Sequence, residues 1–220
     1  MSDFLLFLPE AVTLIGALCV FFLPLFGAAS TTTWRASLVL GLGVVVASFG
    51  SLGATGEPFF ADVYQVDAFS QLIKVALAVG LFVVLLLSEG TAQASYRRSV
   101  RDDVPTFLFL ATAGMMMLVS ATELLTLYVS LELSSLSLFV LVAFGPLRRH
   151  TTEAAAKYVL FGAAASGVTL YGISLLFGAA GSTLLSDILA LPPETLQSPL
   201  FVLGLLLTLS GLFFKLAVFP

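Results

Sequence analysis

A chain of 220 residues that is 59% hydrophobic and only 10% charged cannot cover its own surface in water, because soluble domains carry about 25% charged residues. Its mean hydropathy of +1.10 makes lipid its solvent. With a net charge of −4 and nine basic residues, it has no basic patch for nucleic acid. Cys19 and His150 are single examples of their kind, so this chain alone offers no disulfide framework and no zinc, haem or iron–sulfur site. It also lacks the glycine fingerprints of dinucleotide and phosphate loops.

In chain order, Met1-Ser2-Asp3 lacks the positive stretch of a signal peptide, so the first apolar run reads as a retained span. A spanning helix needs about 20 mostly apolar residues. Seven segments meet that need, at 4–27, 36–55, 67–88, 104–120, 122–144, 153–178 and 199–220. Between them lie clusters such as Gly53 to Pro58 and Leu191-Pro192-Pro193-Glu194, which read as loops. The arginines fall in alternate loops: Arg35, then Arg97, Arg98 and Arg101, then Arg148 and Arg149. The other loops hold Glu57, Asp62, Asp187 and Glu194 and no base. The positive-inside rule then places the arginine loops in the cytoplasm and the N-terminus outside. The last span stops at Phe219-Pro220 without a polar flank, so we expect a part of a longer protein.

Charges inside such spans are costly, roughly 2.5–3.5 kcal/mol at the bilayer centre, and need a reason. Glu132 is the only charge between Leu124 and Phe144. Tyr128 and Ser135 share its helix face, and Ser130, Ser134 and Ser137 form a small-residue stripe beside it. The competing reading of Glu132 is a permanently protonated carboxyl bonded to a serine. Lys215 lies on one face with Gly204, Thr208 and Gly211. That face suits either close packing or a thin file of water, with Pro220 as the helix breaker, unless Lys215 merely snorkels from a helix end. Lys157 forms an ordinary i,i+4 pair with Glu153, with Thr151 or Thr152 as a cap, so snorkelling and function compete evenly there. Lys74 reads as a structural lysine that snorkels outward, and Glu123 as a solvated helix end.

Three motifs resemble one family in order and spacing. Leu127-Tyr128-Val129-Ser130-Leu131-Glu132-Leu133-Ser134-Ser135 resembles the glutamate-bearing fifth helix of subunit N of bacterial respiratory complex I. Glu153-Ala154-Ala155-Ala156-Lys157-Tyr158, with Gly162-Ala163 after it, resembles that family's sixth helix. Gly211-Leu212-Phe213-Phe214-Lys215-Leu216-Ala217-Val218-Phe219-Pro220 resembles the start of its broken seventh helix. The likeness is strong from about 104 to 220 and loose before that. Leu131 stands where the longer antiporter-like relatives usually carry an aromatic residue, which favours subunit N.

The resemblance implies an all-α, polytopic transmembrane bundle of antiporter-like fold, truncated in its first repeat. Residues 1–103 would form a three-helix group and 104–220 an incomplete first repeat. It implies proton translocation through Glu132, Lys157 and Lys215, with Tyr128, Ser135, Gly204, Thr208 and Gly211 lining the path or packing helices. It implies a membrane-arm subunit of NADH:quinone oxidoreductase in a bacterial inner membrane, with other membrane subunits as partners and quinone engaged only indirectly. NADH, FMN, iron–sulfur clusters and quinone would be held by other subunits, with no cofactor in this chain, and the fragment should not pump alone. The alternatives are a cation/proton antiporter subunit of the related family and a passive scaffold.

Overall fold

The computed structural model describes residues 6–56, 60, 62–95, 101–144 and 149–218, and all statements below concern these. Seven long apolar helices form the bundle: α1 Leu8–Leu25, α2 Ser30–Gly50, α3 Ala68–Ser95, α4 Val104–Val119, α5 Leu124–Ala143, α6 Arg149–Ala180 and α9 Pro199–Lys215. Two short helices, α7 Leu185–Leu189 and α8 Pro193–Leu196, lie in the connection before α9. Six of the seven long helices are long and apolar enough to cross a membrane, and α9 is a shorter apolar helix.

Helices α1 and α2 bury mainly small and polar residues and turn many bulky apolar side chains outward. In α1 the buried face is Pro9, Glu10, Thr13, Gly16, Ala17 and Val20, while Ile15, Leu18, Phe21 and Phe22 are exposed. In α2 the buried face is Thr33, Trp34, Ser37, Gly41, Val44 and Ser48. This arrangement is that of a protein solvated by lipid: outward burial of apolar area is no driving force there, and close backbone packing and internal polar contacts take its place.

Four apolar clusters lie among the described residues, and two of them join most of the helices. Val20, Val44, Leu81, Leu85, Phe109 and Met116 join α1 to α4. Leu124, Ile173, Leu176 and Phe201 join α5, α6 and α9. Helix α4 also lies against α5 so closely that a Cβ on Gly114 would fall 2.7 Å from the Ser130 carbonyl oxygen. The three-helix group and the later helices are thus continuous through α4.

Local chemistry ends the helices. Helix α1 closes with Gly27 at φ 80°, its amide bonded to the Pro24 carbonyl and the Ala28 amide to that of Leu23. That pair of bonds with a left-handed residue is a Schellman motif, which glycine fits without steric cost.

Several expected boundaries shift. The second span is Ser30–Gly50 rather than 36–55, so Arg35 lies within a helix and not in a loop. The polar start of α2 is anchored where Ser30 Oγ donates to Asp102 Oδ1 at 2.5 Å and accepts from Arg101 Nη2 at 2.6 Å. Thr151 and Thr152 lie inside α6 and do not cap it. Helix α9 ends at Lys215, before the proline expected to break it. Glu57, Arg97, Arg98, Arg148 and Pro220 lie outside the described residues.

One end of the bundle is a hydrogen-bonded layer made of loops from distant parts of the chain. The Gln65 amide donates to Ser120 O at 2.9 Å and the Thr122 amide to Val63 O at 3.1 Å. The Leu124 amide donates to Thr183 O at 3.0 Å and the Leu185 amide to Thr122 O at 3.1 Å. These are the loops that carry acids such as Asp62 and Asp187.

Candidate functional site

Glu132 stands on α5, two turns inward from the hydrogen-bonded layer. The start of that helix is fixed by Glu123, whose Oε2 accepts from both the amide and the hydroxyl of Thr126 at 2.7 Å. Glu123 is therefore a buried N-cap, not a solvated end. Burial alone would push its carboxyl up, but hydrogen bonds from Thr183, Thr126 and Leu125 outweigh it and hold the group below its usual range.

Lys215 is the last helical residue of α9 and the terminal position of its Gly204, Thr208, Gly211 face. That face packs on α6. A Cβ on Gly172 would lie 2.5 Å from the Thr208 amide nitrogen, and one on Gly211 would lie 2.8 Å from Ala165 O. Thr208 donates to Gly204 O within its own helix at 2.8 Å. The face is thus filled by a neighbouring helix, leaving no space along it for a file of water.

Two features then place the Lys215 ammonium. The chain turns sharply after it: Ala217 adopts φ 52°, its amide bonds Phe214 O, and the Val218 amide bonds Phe213 O. This is again a Schellman closure, here with alanine in the left-handed position. Lys215 therefore sits at the negative end of the helix dipole. Its Nζ makes an ion pair and hydrogen bond with Glu132 Oε1, the side chains being 11% and 16% exposed. The Tyr128 ring flanks the pair, with Nζ 5.9 Å from the ring centre.

Beside the pair lies a cavity of about 830 Å³ between α4, α5, α6 and the end of α9, lined by Leu131, Ser134, Ser135, Tyr158 and Lys215 among others. Ser135 donates to Leu131 O and does not bond Glu132. Lys157 is not brought to this site. Its Nζ pairs with Glu153 at 2.6 Å, and the two side chains are 63% and 53% exposed. Its neighbour Tyr158 reaches the cavity instead, with its ring 4.7 Å from that of Phe139.

A second buried pair lies in the first helices. Lys74 on α3 does not snorkel: it meets Glu10 of α1 at 2.6 Å, and both side chains are 0% exposed. The Tyr64 hydroxyl donates to the same Glu10 oxygen at 2.5 Å. Burial pushes the Tyr64 phenol up, and the Glu10 carboxylate adds to that. The sequence signal was available, since a lysine inside an apolar helix needs an acid. Glu10, next to Pro9 at a helix start, looks instead like a membrane flank.

These features define a multi-pass membrane protein with an ion pair joining two helices inside an antiporter-like bundle. Residues 121–220 match the transmembrane family of NADH:quinone oxidoreductases and Mrp antiporters. NADH-quinone oxidoreductase subunit N 2 of Syntrophobacter fumaroxidans is 45% identical over 97% of this chain and 45% of its own length. Its counterpart in Opitutus terrae is 41% identical over 100% of this chain and 46% of its own. A chain of respiratory complex I from Thermus thermophilus superimposes with a TM-score of 0.75 at 30% identity, over 94% of this chain and 43% of that one. The chain is accordingly a relative of the NADH-quinone oxidoreductase subunit N proteins. It spans a little under half the length of those it matches.

Proposed function

We propose that this chain supplies part of a proton-translocating membrane subunit of an NADH:quinone oxidoreductase, embedded in a bacterial inner membrane among other membrane subunits. The Glu132–Lys215 ion pair at the edge of the cavity carries this reading. NADH, FMN, iron–sulfur clusters and quinone belong to other subunits in it, and this chain handles only protons.

The chemistry is electrostatic switching. An isolated lysine holds its proton far above neutral pH, near pKa 10.4. Burial favours a neutral amine, and an adjacent carboxylate favours the ammonium. Drawing a carboxylate away from a buried lysine therefore promotes release, and returning it promotes loading. A swing of about three pKa units corresponds to about 4 kcal/mol. Moving one charge against 100 mV requires about 2.3 kcal/mol, so the switch is large enough. Tyr128 shapes the local field, and the packed glycine face holds Lys215 in reach. Lys157, paired on the outside of α6, would join the path only through a rearrangement that breaks its bond to Glu153.

The test uses the full-length subunit in the assembled complex. Glu132→Gln and Lys215→Met are each expected to lower NADH-driven proton translocation at least about tenfold, equivalent to about 1.4 kcal/mol or more. Wild-type coupling in both variants would remove these residues from the mechanism. Sodium-dependent transport without NADH or quinone would favour the cation/proton antiporter reading.

A further inference from the structure

Helices α1 and α2, joined by the short turn at Gly27, leave a cleft of about 660 Å³ between them. Its α1 wall includes Cys19, Phe22 and Phe26, and its α2 wall includes Thr32, Arg35 and Val39. The cleft is graded in polarity. Thr32 and Arg35 stand near the turn with Phe26, whereas Cys19 and Val39 lie about 10 Å deeper, at 1.5 Å per residue. The Phe22 and Phe26 rings stack 6.1 Å apart and make an apolar edge. The turn itself is Gly27-Ala28-Ala29, with no bulky side chain to close the mouth.

Arg35 is the one charged residue among the described residues of this cleft, and it is exposed. It has no ion pair or hydrogen bond among the described residues. Asp102 does not serve it: that carboxylate accepts from Ser30 and lies 3.6 Å from Arg101 Nε. Ser30 stands two residues from Thr32 and so faces another side of α2. Side chains on a helix lean toward its N-terminus, which carries the Arg35 guanidinium back toward the turn and the membrane surface. Nearby, α2 starts at Ala29 without a side-chain cap, so the positive end of its dipole adds to the same field.

We propose that this cleft binds an anionic phospholipid of the cytoplasmic leaflet, its phosphate held by Arg35 and Thr32 and an acyl chain laid along Phe22, Cys19 and Val39. The charges are complementary: a guanidinium fork matches two phosphate oxygens, and a threonine hydroxyl donates to a third. The positive-inside rule puts the turn on the cytoplasmic side, where anionic lipids gather. The walls are helices whose backbone groups bond internally, so the cleft offers hydrocarbon contact and not the main-chain pairing that an extended peptide would use.

The test uses the full-length subunit in its assembled complex, in bilayer discs of phosphatidylcholine doped with phosphatidylglycerol that carries a diazirine on one acyl chain. After irradiation, mass spectrometry locates the label. The expected result is label on residues 19–26 and 32–40, displaced by unlabelled phosphatidylglycerol and not by added phosphatidylcholine. Arg35→Gln should lower that label about fivefold, the loss of one arginine's attraction to anionic lipid. Arg35→Lys keeps the charge and should retain most of it. Equal displacement by the two lipids would make this ordinary boundary lipid, and absence of label from both segments would mean that a neighbouring subunit covers the cleft; either result ends the inference. The competition needs the wild type alone, so it decides the matter whether or not the variants assemble. Labelling reads binding and not pumping, so its outcome stands apart from the roles of Glu132 and Lys215.

Discussion

Single residues decide where charge can stand in this bundle. Glu132, Lys215, Glu10 and Lys74 are tolerable in lipid because each meets an opposite charge, at the boundary of a cavity in one case and in full burial in the other. Removing one partner leaves the other charge buried alone, which is costlier than replacing both. At the surface, Asp67 shows a simpler rule. Its Oδ1 accepts from the Ser70 amide at 2.7 Å while its own amide donates to Ser70 Oγ at 2.9 Å, a capping box at the start of α3. The Ser70 backbone bond and then its hydroxyl hold the Asp67 carboxyl below its usual range. A depressed carboxyl contributes stability above its unfolded pKa and loses it as the pH falls through the folded one. Asp67→Ala should therefore destabilise the protein by about 1 kcal/mol at neutral pH and by less in acid. Thermal unfolding in detergent at several pH values measures this, and a pH-independent difference would refute it.

Helices here are joined by what they lack. Helix α9 meets α6 across Gly172, Gly204 and Gly211, where backbone touches backbone. A Cβ on Gly204 would come 2.9 Å from the Leu176 nitrogen and 3.0 Å from Gly172 O. Gly43 on α2 faces open space instead. The same substitution should then act with opposite signs. Gly43→Ala is expected to stabilise by roughly 0.5–1 kcal/mol through helix propensity. Gly172→Ala should destabilise by about 1–3 kcal/mol through overpacking, and should also weaken proton translocation by shifting Lys215 relative to Glu132. Equal melting temperatures for the two variants would contradict this account of the α6–α9 contact. The glycine, threonine, lysine spacing of α9 was legible as one face. Its occupant was not, because a small-residue stripe states that something comes close without stating what.

Across the whole molecule, the layer of loops at the acidic end ties segments that are far apart in sequence. Residues 62–66, 120–124 and 183–185 bond one another through their backbones. Cooperative units of this kind open together. Amide exchange on the full-length protein in lipid should show peptides spanning these segments protected together and released together. Independent exchange of the 183–185 segment would mean that the layer does not join the two halves.

Apolar periodicity and its interruptions were enough to place seven helices and to single out Glu132 and Lys215 as charges within them, though Glu123 was read as solvated and is buried. Lipid solvation forces any long apolar segment to satisfy its own backbone bonds as a helix, so composition alone narrows the fold. Three motifs in sequence also pointed to the subunit N relatives. Boundaries such as Ser30 and the pairing of Lys74 with Glu10 were beyond reach, whereas the i,i+4 pair of Lys157 with Glu153 was legible. The sequence assigned Lys74 to the surface and left Glu10 unremarked, because an ion pair is a property of two faces rotated toward each other. Lys157 has family spacing but an outward pair with Glu153. Which charge meets which depends on helix rotation and approach. Those follow from packing between distant residues, so only the tertiary structure decided them.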